Sequence, residues 1–475
     1  MSDKRKTKII ATIGPASDKV DTLTDLALAG VNAFRLNFSH GSHDYYKKVI
    51  DRIVKINKKY RKHISIIADL QGPKLRVGEL IEPIIQLITG ESIEVVTYPV
   101  IGTAQRISVT YAPLAKDVKI GEKILIDDGK IQLEVTHTDK QELVVCKITN
   151  GGILSPKKGF NLPDTATTVP SLTDKDRDDL AFLLQYPINW VALSFVRNDT
   201  EIYELKELIH QHNAQARVIA KIEKPEAIAN IDAIILAADA IMVARGDLGI
   251  EVPMEEMALA QKSIIKKSIQ QAKPVILATQ VMESMIEMPL PTRAEITDVA
   301  NAVIDGADAI MLSGETSVGK YPIKVIETIH KIVMRTEKES MYLFKKVNPD
   351  KCSVSFTSDV ICNHACRIAD DVDAKAIVGM TYSGYTGFML ASYRPSADIY
   401  IYTHNRNLLN TLSIVWGVEC HYYDKFVGTD ETIQDIIQRL KNHNNVNFGD
   451  IVIHTASMPI KGKGRSNMVK LSIVP

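Results

Sequence analysis

The sequence predicts an α/β protein: a closed (β/α)8 barrel of the TIM type, an inserted small β-barrel placed as a lid, and a C-terminal open α/β domain. Three observations carry that prediction. Eight short apolar runs recur over the first two thirds of the chain, the pattern of a parallel sheet covered by helices. A long stretch of alternating, turn-rich sequence interrupts them after the third run, and the βα pattern restarts near residue 343. The expected division is therefore 1–70 with 171–342 for the barrel, 71–170 for the insertion and 343–475 for the C-terminal domain.

The barrel strands are read at Lys8–Gly14, Ala33–Ser39, Ile64–Leu70, Trp190–Val196, Arg217–Glu223, Ala240–Asp247, Pro274–Gln280 and Asp308–Glu315. Helical spacing marks Asp18–Gly30, Asp44–Tyr60, Asp174–Tyr186, Thr200–His212, Pro253–Gln271, Thr292–Asp305 and Pro322–Lys338, with Gly30 as a stop. A loop as long as 71–170 needs its own fold. Its short alternating segments are Ser92–Thr97, Gln105–Val109, Lys123–Asp127, Lys130–Thr136 and Glu142–Ile148, with a hairpin turn at Asp127-Asp128-Gly129-Lys130. Further strands are expected at Ala376–Thr381, Asp398–Thr403, Val418–Tyr423, Asp450–Thr455 and Met468–Ile473.

The bulk numbers exclude several roles. Charged residues make up 24 % and sum to a net charge of zero, which argues against nucleic acid or an anionic membrane as partner. Cysteines at 146, 352, 362, 366 and 420 form neither a disulfide framework nor a zinc pattern, as expected in a reducing compartment. No apolar run approaches ~18 residues. The start passes directly into a strand rather than a signal-peptide core, so a cytoplasmic protein is expected.

The active site of such a barrel lies at the C-terminal ends of its strands. Polar residues cluster there. Alternation puts Lys221 with Glu223 on one face, and likewise Arg35 with Asn37 and Ser39, and Arg245 with Asp247. The mouth would gather carboxylates (Glu223, Asp247), cations (Arg35, Arg76, Lys221, Arg245) and hydroxyls (Ser194, Thr279, Ser313). A pair of carboxylates suits Mg²⁺, which keeps water and substrate oxygens in its shell, and nearby cations suit a phosphoryl group in flight. Singly, Lys-x-Glu is an ordinary ion pair and Asp247 an ordinary turn residue; Glu283, Asp298 and Asp305 read as caps or packing charges. The combination at successive strand ends points to metal-assisted chemistry on a small phosphorylated acid.

At these residues the chain resembles the pyruvate kinase family. The matching segments are TKIIATIGPAS (7–17), FRLNFSHG (34–41), DLQGPKLRVG (69–78), KKGFNLP (157–163), KIEKPEAI (221–228) and MVARGDLGIEVP (242–253), followed by the long run from Ala278 to Thr316. The resemblance covers essentially the whole chain and implies phosphoryl transfer from phosphoenolpyruvate to ADP, giving pyruvate and ATP. It implies that Glu223 and Asp247 hold Mg²⁺ (or Mn²⁺). Lys221 would act on the transferring phosphoryl group, with Arg35 and Arg76 helping. Gly246, Asp247, Thr279 and Ser194 would bind substrate. Thr12, Pro15, Arg35, Asn37, His40, Tyr45 and Lys158 match nucleotide positions, with Lys158 on the lid. Thr279, Ser313 and Glu315 are candidates for relaying a proton to the enolate carbon.

Two further expectations follow from the resemblance. Members that need K⁺ hold it near positions matching Asn37, Ser39, Asp69 and the backbone of Leu70, and carry Glu where this chain has Lys74, so K⁺ should not be required. The loop with Thr381, Ser383, Gly384 and Thr386, with Lys463 and Arg465 from a later basic loop, implies an allosteric site for a sugar monophosphate or AMP, in a homotetramer. The rival readings are a Mg²⁺-dependent enolate lyase or aldolase on the same barrel, and a catalytically inactive metabolite sensor.

Overall fold

A computed structural model describes residues 4–339, 345–346, 348–425, 428–458 and 465–475. Eight parallel strands close into a barrel: β1 (Lys8–Thr12), β2 (Ala33–Asn37), β3 (Ser65–Asp69), β4 (Trp190–Leu193), β5 (Arg217–Ile222), β6 (Ala240–Ala244), β7 (Val275–Ala278) and β8 (Ala309–Leu312). Each pairs with its sequence neighbours and β8 returns to β1. Every residue of β1, β3, β4, β6, β7 and β8 is buried. Two covered faces explain why these runs are continuously apolar rather than alternating.

Helices cover the ring where amphipathic spacing puts them. Val20–Ala29 buries Leu23, Leu26 and Ala27 and ends on Gly30 at φ 108°, a left-handed stop that suits glycine. Arg293–Asp305 starts from a capping box between Thr292 and Glu295. Two elements differ from expectation. A short helix, Ile231–Ala237, lies between β5 and β6; it buries Ile231, Ile234 and Ile235 but is too short to show a sustained period. The sixth strand stops at Ala244, and Arg245–Glu251 is helical. Gly246 and Gly249 weaken strand continuation there, and the backbone turns at the mouth.

The insertion forms a six-stranded, mostly antiparallel sheet and a two-stranded ribbon around one apolar core from Val77 to Leu162. Lys123–Ile126 and Ile131–Thr138 make the expected hairpin, with Asp127, Asp128 and Gly129 all at positive φ. The ribbon strands Ile85–Leu87 and Gly152–Leu154, and the two-residue strand Phe160–Asn161, carry too few residues to show alternation. The C-terminal sheet runs Val418–Tyr422, Asp398–Thr403, Ala376–Met380, Ile451–Ala456, Met468–Ile473, parallel except for the last strand. Among the described residues no helix is long and apolar enough to cross a membrane.

Candidate active site

The site is organised around one buried ammonium. Lys221, the penultimate residue of β5 and 9 % exposed, donates to Ser194 Oγ (2.7 Å) and pairs with Glu223 Oε1 (2.8 Å) and Asp69 Oδ1 (3.3 Å). Ser194 passes the chain on to the Leu70 carbonyl (2.8 Å). Asp69 also accepts from Arg35 Nε (2.6 Å), and Arg35 Nη1 donates to Thr12 Oγ1 (3.1 Å), which in turn donates to the Leu312 carbonyl (2.7 Å). Residues from β1, β2, β3, β5 and β8, with Ser194 just past β4, thus form one polar network. Glu223 is fixed from its other side by the Phe195 amide on Oε2 (2.8 Å).

Charge follows from this geometry. Burial alone would suppress the charged form of Lys221, but Asp69 and Glu223 outweigh it and raise its pKa above the ordinary lysine value. The same pairing, with Arg35, holds Asp69 below the usual carboxylate range despite complete burial. Glu223 and Asp247 are pushed the other way: burial raises both, and Asp247 adds to the rise at Glu223. Lys221 opposes the rise at both and Lys74 opposes it at Asp247, without cancelling the effect of burial. An all-oxygen donor pair of that kind fits Mg²⁺ or Mn²⁺ completing its shell from substrate and water. Among the described residues no group of three or more His, Cys, Asp and Glu gathers to hold a metal by itself.

Thr279, just past β7, sits at φ 63°, an unfavourable value for a β-branched residue. There its Oγ1 accepts the Gly246 amide (2.7 Å) and donates to the Ala278 carbonyl (2.7 Å). A Cβ at Gly246 would lie 3.3 Å from that oxygen. The strain buys a fixed hydroxyl beside Asp247. Glu315 accepts from the Ser313 amide (2.7 Å) and the Met282 amide (3.2 Å), burial raises its pKa, and Ser313 Oγ is buried without a partner.

One expected cation is elsewhere. Because β6 ends at Ala244, Arg245 and Asp247 do not share a strand face. The Arg245 guanidinium instead pairs with Asp298 (2.7 Å) and donates to the Thr279 and Gln280 carbonyls (3.0 and 2.7 Å), bracing the loop after β7. Asp298 is the packing charge it was expected to be.

Between mouth and lid lies a cleft of about 200 Å³ lined by Lys74, Arg76, Asp128, Phe195, Asp247 and Glu251, among others. Arg76 Nη1 donates to the Lys157 carbonyl (2.8 Å), and Lys158 Nζ pairs with Asp127 (2.8 Å), both within the inserted domain. Lys74 carries a pKa lowered to about 8 by burial, then by Arg76 and Lys221, with Asp247 and Asp69 opposing. Asn37 Oδ1 accepts the Ser39 amide (3.2 Å). His40 is exposed near Lys74, Arg76 and Arg35, which with burial lower its pKa; Pro15 is exposed and Tyr45 half-buried. Sequence reasoning missed the bridge between domains in which Glu251 Oε1 accepts from Lys224 (2.8 Å) and from Asn161 Nδ2 of the inserted domain (2.8 Å).

In the C-terminal loop, Thr381 Oγ1 accepts the Gly384 amide (3.0 Å), Thr386 Oγ1 meets Ser466 Oγ (3.0 Å), and Gly384 sits at φ 89°. The Ser383 carbonyl accepts from Arg217 (2.7 Å). Arg465 donates to the Val354 carbonyl; Lys463 lies outside the described residues.

Two family models match this chain: "Pyruvate kinase, barrel domain" over residues 4–326 and "Pyruvate kinase, alpha/beta domain" over 359–472. A pyruvate kinase of Geobacillus stearothermophilus is 43 % identical over 99 % of this chain and 81 % of its own length. One from Bacillus licheniformis is 42 % identical over 99 % and 80 %. A crystal structure of a pyruvate kinase from Cryptosporidium parvum superposes with a TM-score of 0.92 at 33 % identity, covering 99 % of this chain and 96 % of that one. None of these matches supports a lyase or aldolase on this barrel. With whole-length identity of this size and both domain models matched in order, the chain belongs to the pyruvate kinase family.

Proposed function

We infer that the barrel mouth transfers the phosphoryl group of phosphoenolpyruvate to ADP, with Lys221 as its central residue. The single observation that carries this is the buried Lys221 ammonium, charged, tied to Asp69, Glu223 and Ser194, and close enough to Asp247 for that carboxylate to favour its charge. Glu223 and Asp247 would hold Mg²⁺ or Mn²⁺, which when bound supplies positive charge against substrate oxygens. Lys221 and Arg35 oppose charge on the moving phosphoryl group without having to reorganise, because Asp69 holds both in place. The Gly246 amide, Thr279 and Ser194 orient the carboxylate end.

Thr12, Pro15, Asn37, His40, Tyr45 and, on lid closure, Arg76 and Lys158 receive ADP; the exposed Lys158 can leave Asp127 at small cost. The Leu70 carbonyl already accepts from Ser194, Asp69 lies between Arg35 and Lys221, and Lys74 supplies positive charge nearby, which supports turnover without K⁺. Ser313, with a buried hydroxyl lacking a partner, and Thr279 are placed to pass a proton through water, while Glu315 braces Ser313. The loop Thr381–Thr386, with Lys463 and Arg465, is read as the effector site for a sugar monophosphate or AMP in a homotetramer. The test is pyruvate release from phosphoenolpyruvate: we expect strict dependence on ADP and divalent metal, and pyruvate formed without any nucleotide would overturn the reading.

A further inference from the structure

The loop after β7 puts two consecutive non-glycine residues in the left-handed region, Thr279 at φ 63° and Gln280 at φ 51°. Left to itself, a β-branched threonine followed by glutamine relaxes to right-handed or extended backbone. A left-handed pair of this kind persists only where its surroundings hold it. Thr279 Oγ1 accepts the Gly246 amide and donates to the Ala278 carbonyl, which fixes the hydroxyl but neither the Thr279 nor the Gln280 carbonyl.

One side chain holds both carbonyls. Arg245, 9 % exposed, donates to the Thr279 carbonyl from Nε (3.2 Å) and Nη2 (3.0 Å), and to the Gln280 carbonyl from Nη2 (2.7 Å). Its remaining nitrogen, Nη1, donates to Asp298 Oδ1 (2.8 Å) and lies 2.7 Å from Oδ2. Asp298 is carried by the helix Arg293–Asp305, which fixes the guanidinium from its far side. A planar fork can bridge two carbonyls and a carboxylate at once, a geometry that a lysine ammonium does not reproduce. Because Gly246 follows Arg245, the two loops are joined twice: guanidinium to carbonyls, and Gly246 amide to Thr279 Oγ1. The Arg245–Asp298 pair alone would be an ordinary, partly exposed ion pair of small worth; the bonds to two left-handed residues set it apart.

We propose that Arg245 is a positioning residue for the substrate carboxylate: it holds Thr279 and Gln280 left-handed and so keeps the Thr279 hydroxyl on the Gly246 amide. It touches neither substrate nor metal. The inference rests on the reading of Thr279 and Gly246 as the carboxylate end of the site. Without the guanidinium the loop relaxes, Thr279 Oγ1 leaves the Gly246 amide, and the phosphoenolpyruvate end loses its fixed hydroxyl. The ADP end, assigned to residues of β1, β2, their loops and the inserted domain, stays as it was.

The test is steady-state kinetics of the full chain, with phosphoenolpyruvate and ADP varied separately, on a double-mutant cycle of Arg245→Met and Thr279→Ala. Arg245→Met should lower kcat/KM for phosphoenolpyruvate roughly tenfold to a hundredfold, the loss of charge-assisted bonds, with KM for ADP within about twofold of wild type. In the Thr279→Ala background the same change should cost less than about threefold, because the residue it acts through is gone. Gln280→Gly, at an exposed position, adopts the left-handed backbone unaided and should recover part of the loss in Arg245→Met. Asp298→Asn, which loosens the guanidinium without removing it, should show a smaller loss confined to phosphoenolpyruvate, and it decides the matter should Arg245→Met fail to fold. The proposal is overturned if a folded Arg245→Met or Asp298→Asn matches wild type or harms both substrates equally. It is also overturned if the Arg245 and Thr279 effects multiply, or if Gln280→Gly recovers nothing. Wild-type kinetics in Thr279→Ala would refute the carboxylate reading and this inference with it; a loss there that Arg245→Met does not share refutes the inference alone.

Discussion

Lys74 gives the most quantitative prediction. If its ammonium stands in for a monovalent cation, turnover without K⁺ must follow its protonation. A lysine is charged below its pKa, and burial with Arg76 and Lys221 nearby brings that value to about 8. The charged fraction is then ~0.9 at pH 7 and ~0.1 at pH 9, roughly a tenfold fall. Other groups titrate over the same range, so the K⁺-free rate of wild type should be divided by the rate of Lys74→Glu in saturating K⁺, which lacks this titration. That ratio should drop roughly tenfold between pH 7 and 9. Lys74→Glu itself should lose K⁺-free activity and recover it with added K⁺. A ratio that stays flat across this range, or a wild type that is inactive without K⁺ at pH 7, refutes the assignment.

Two stability predictions follow from single positions. His454 is 2 % exposed, its Nε2 has no partner, and burial, with Lys470 adding, lowers its pKa to about 4. It is neutral in the fold and protonated in the unfolded chain between about pH 4 and 6.5, so stability falls as pH drops through that window, by about 3 kcal/mol in all; denaturant titrations of His454→Phe at pH 4.5 and 7 should lack this component. Gly72 sits at φ 67°, and a Cβ there would come within 2.8 Å of the Phe195 ring and 3.0 Å of Ser194 Cβ. Gly72→Ala should cost about 1–3 kcal/mol in a urea melt and lower kcat by displacing the serine that holds Lys221; unchanged stability and kcat would contradict that packing.

Much of the fold was readable because its strands are buried on both faces. An uninterrupted apolar run such as Ile64–Leu70 or Pro274–Gln280 leaves few alternatives once helices alternate with it. Short elements were not readable: Ile231–Ala237 spans about two turns, and the strands of two or three residues in the inserted domain are too brief for any period. The end of β6 was overrun because Arg245-Gly246-Asp247 alternates like a strand until the chain turns. The mouth residues were legible from their positions at strand ends, but not their partners. Asp69 drew attention through the potassium positions, and only the closed barrel brings it between Arg35 and Lys221. Lys224, Glu251 and Asn161 look like ordinary polar residues until two domains meet.

The central claim is that Lys221 opposes charge on the phosphoryl group in transit. At about 4 Å and an effective dielectric of about 20, such a pair is worth about 4 kcal/mol, or roughly a thousandfold in rate. The direct measurement is kcat for ADP-dependent pyruvate release with saturating Mg²⁺, comparing wild type with Lys221→Met. A fall of roughly a thousandfold in a variant that keeps its fold is the predicted result; a fall of less than about tenfold would show that the buried ammonium only supports the barrel.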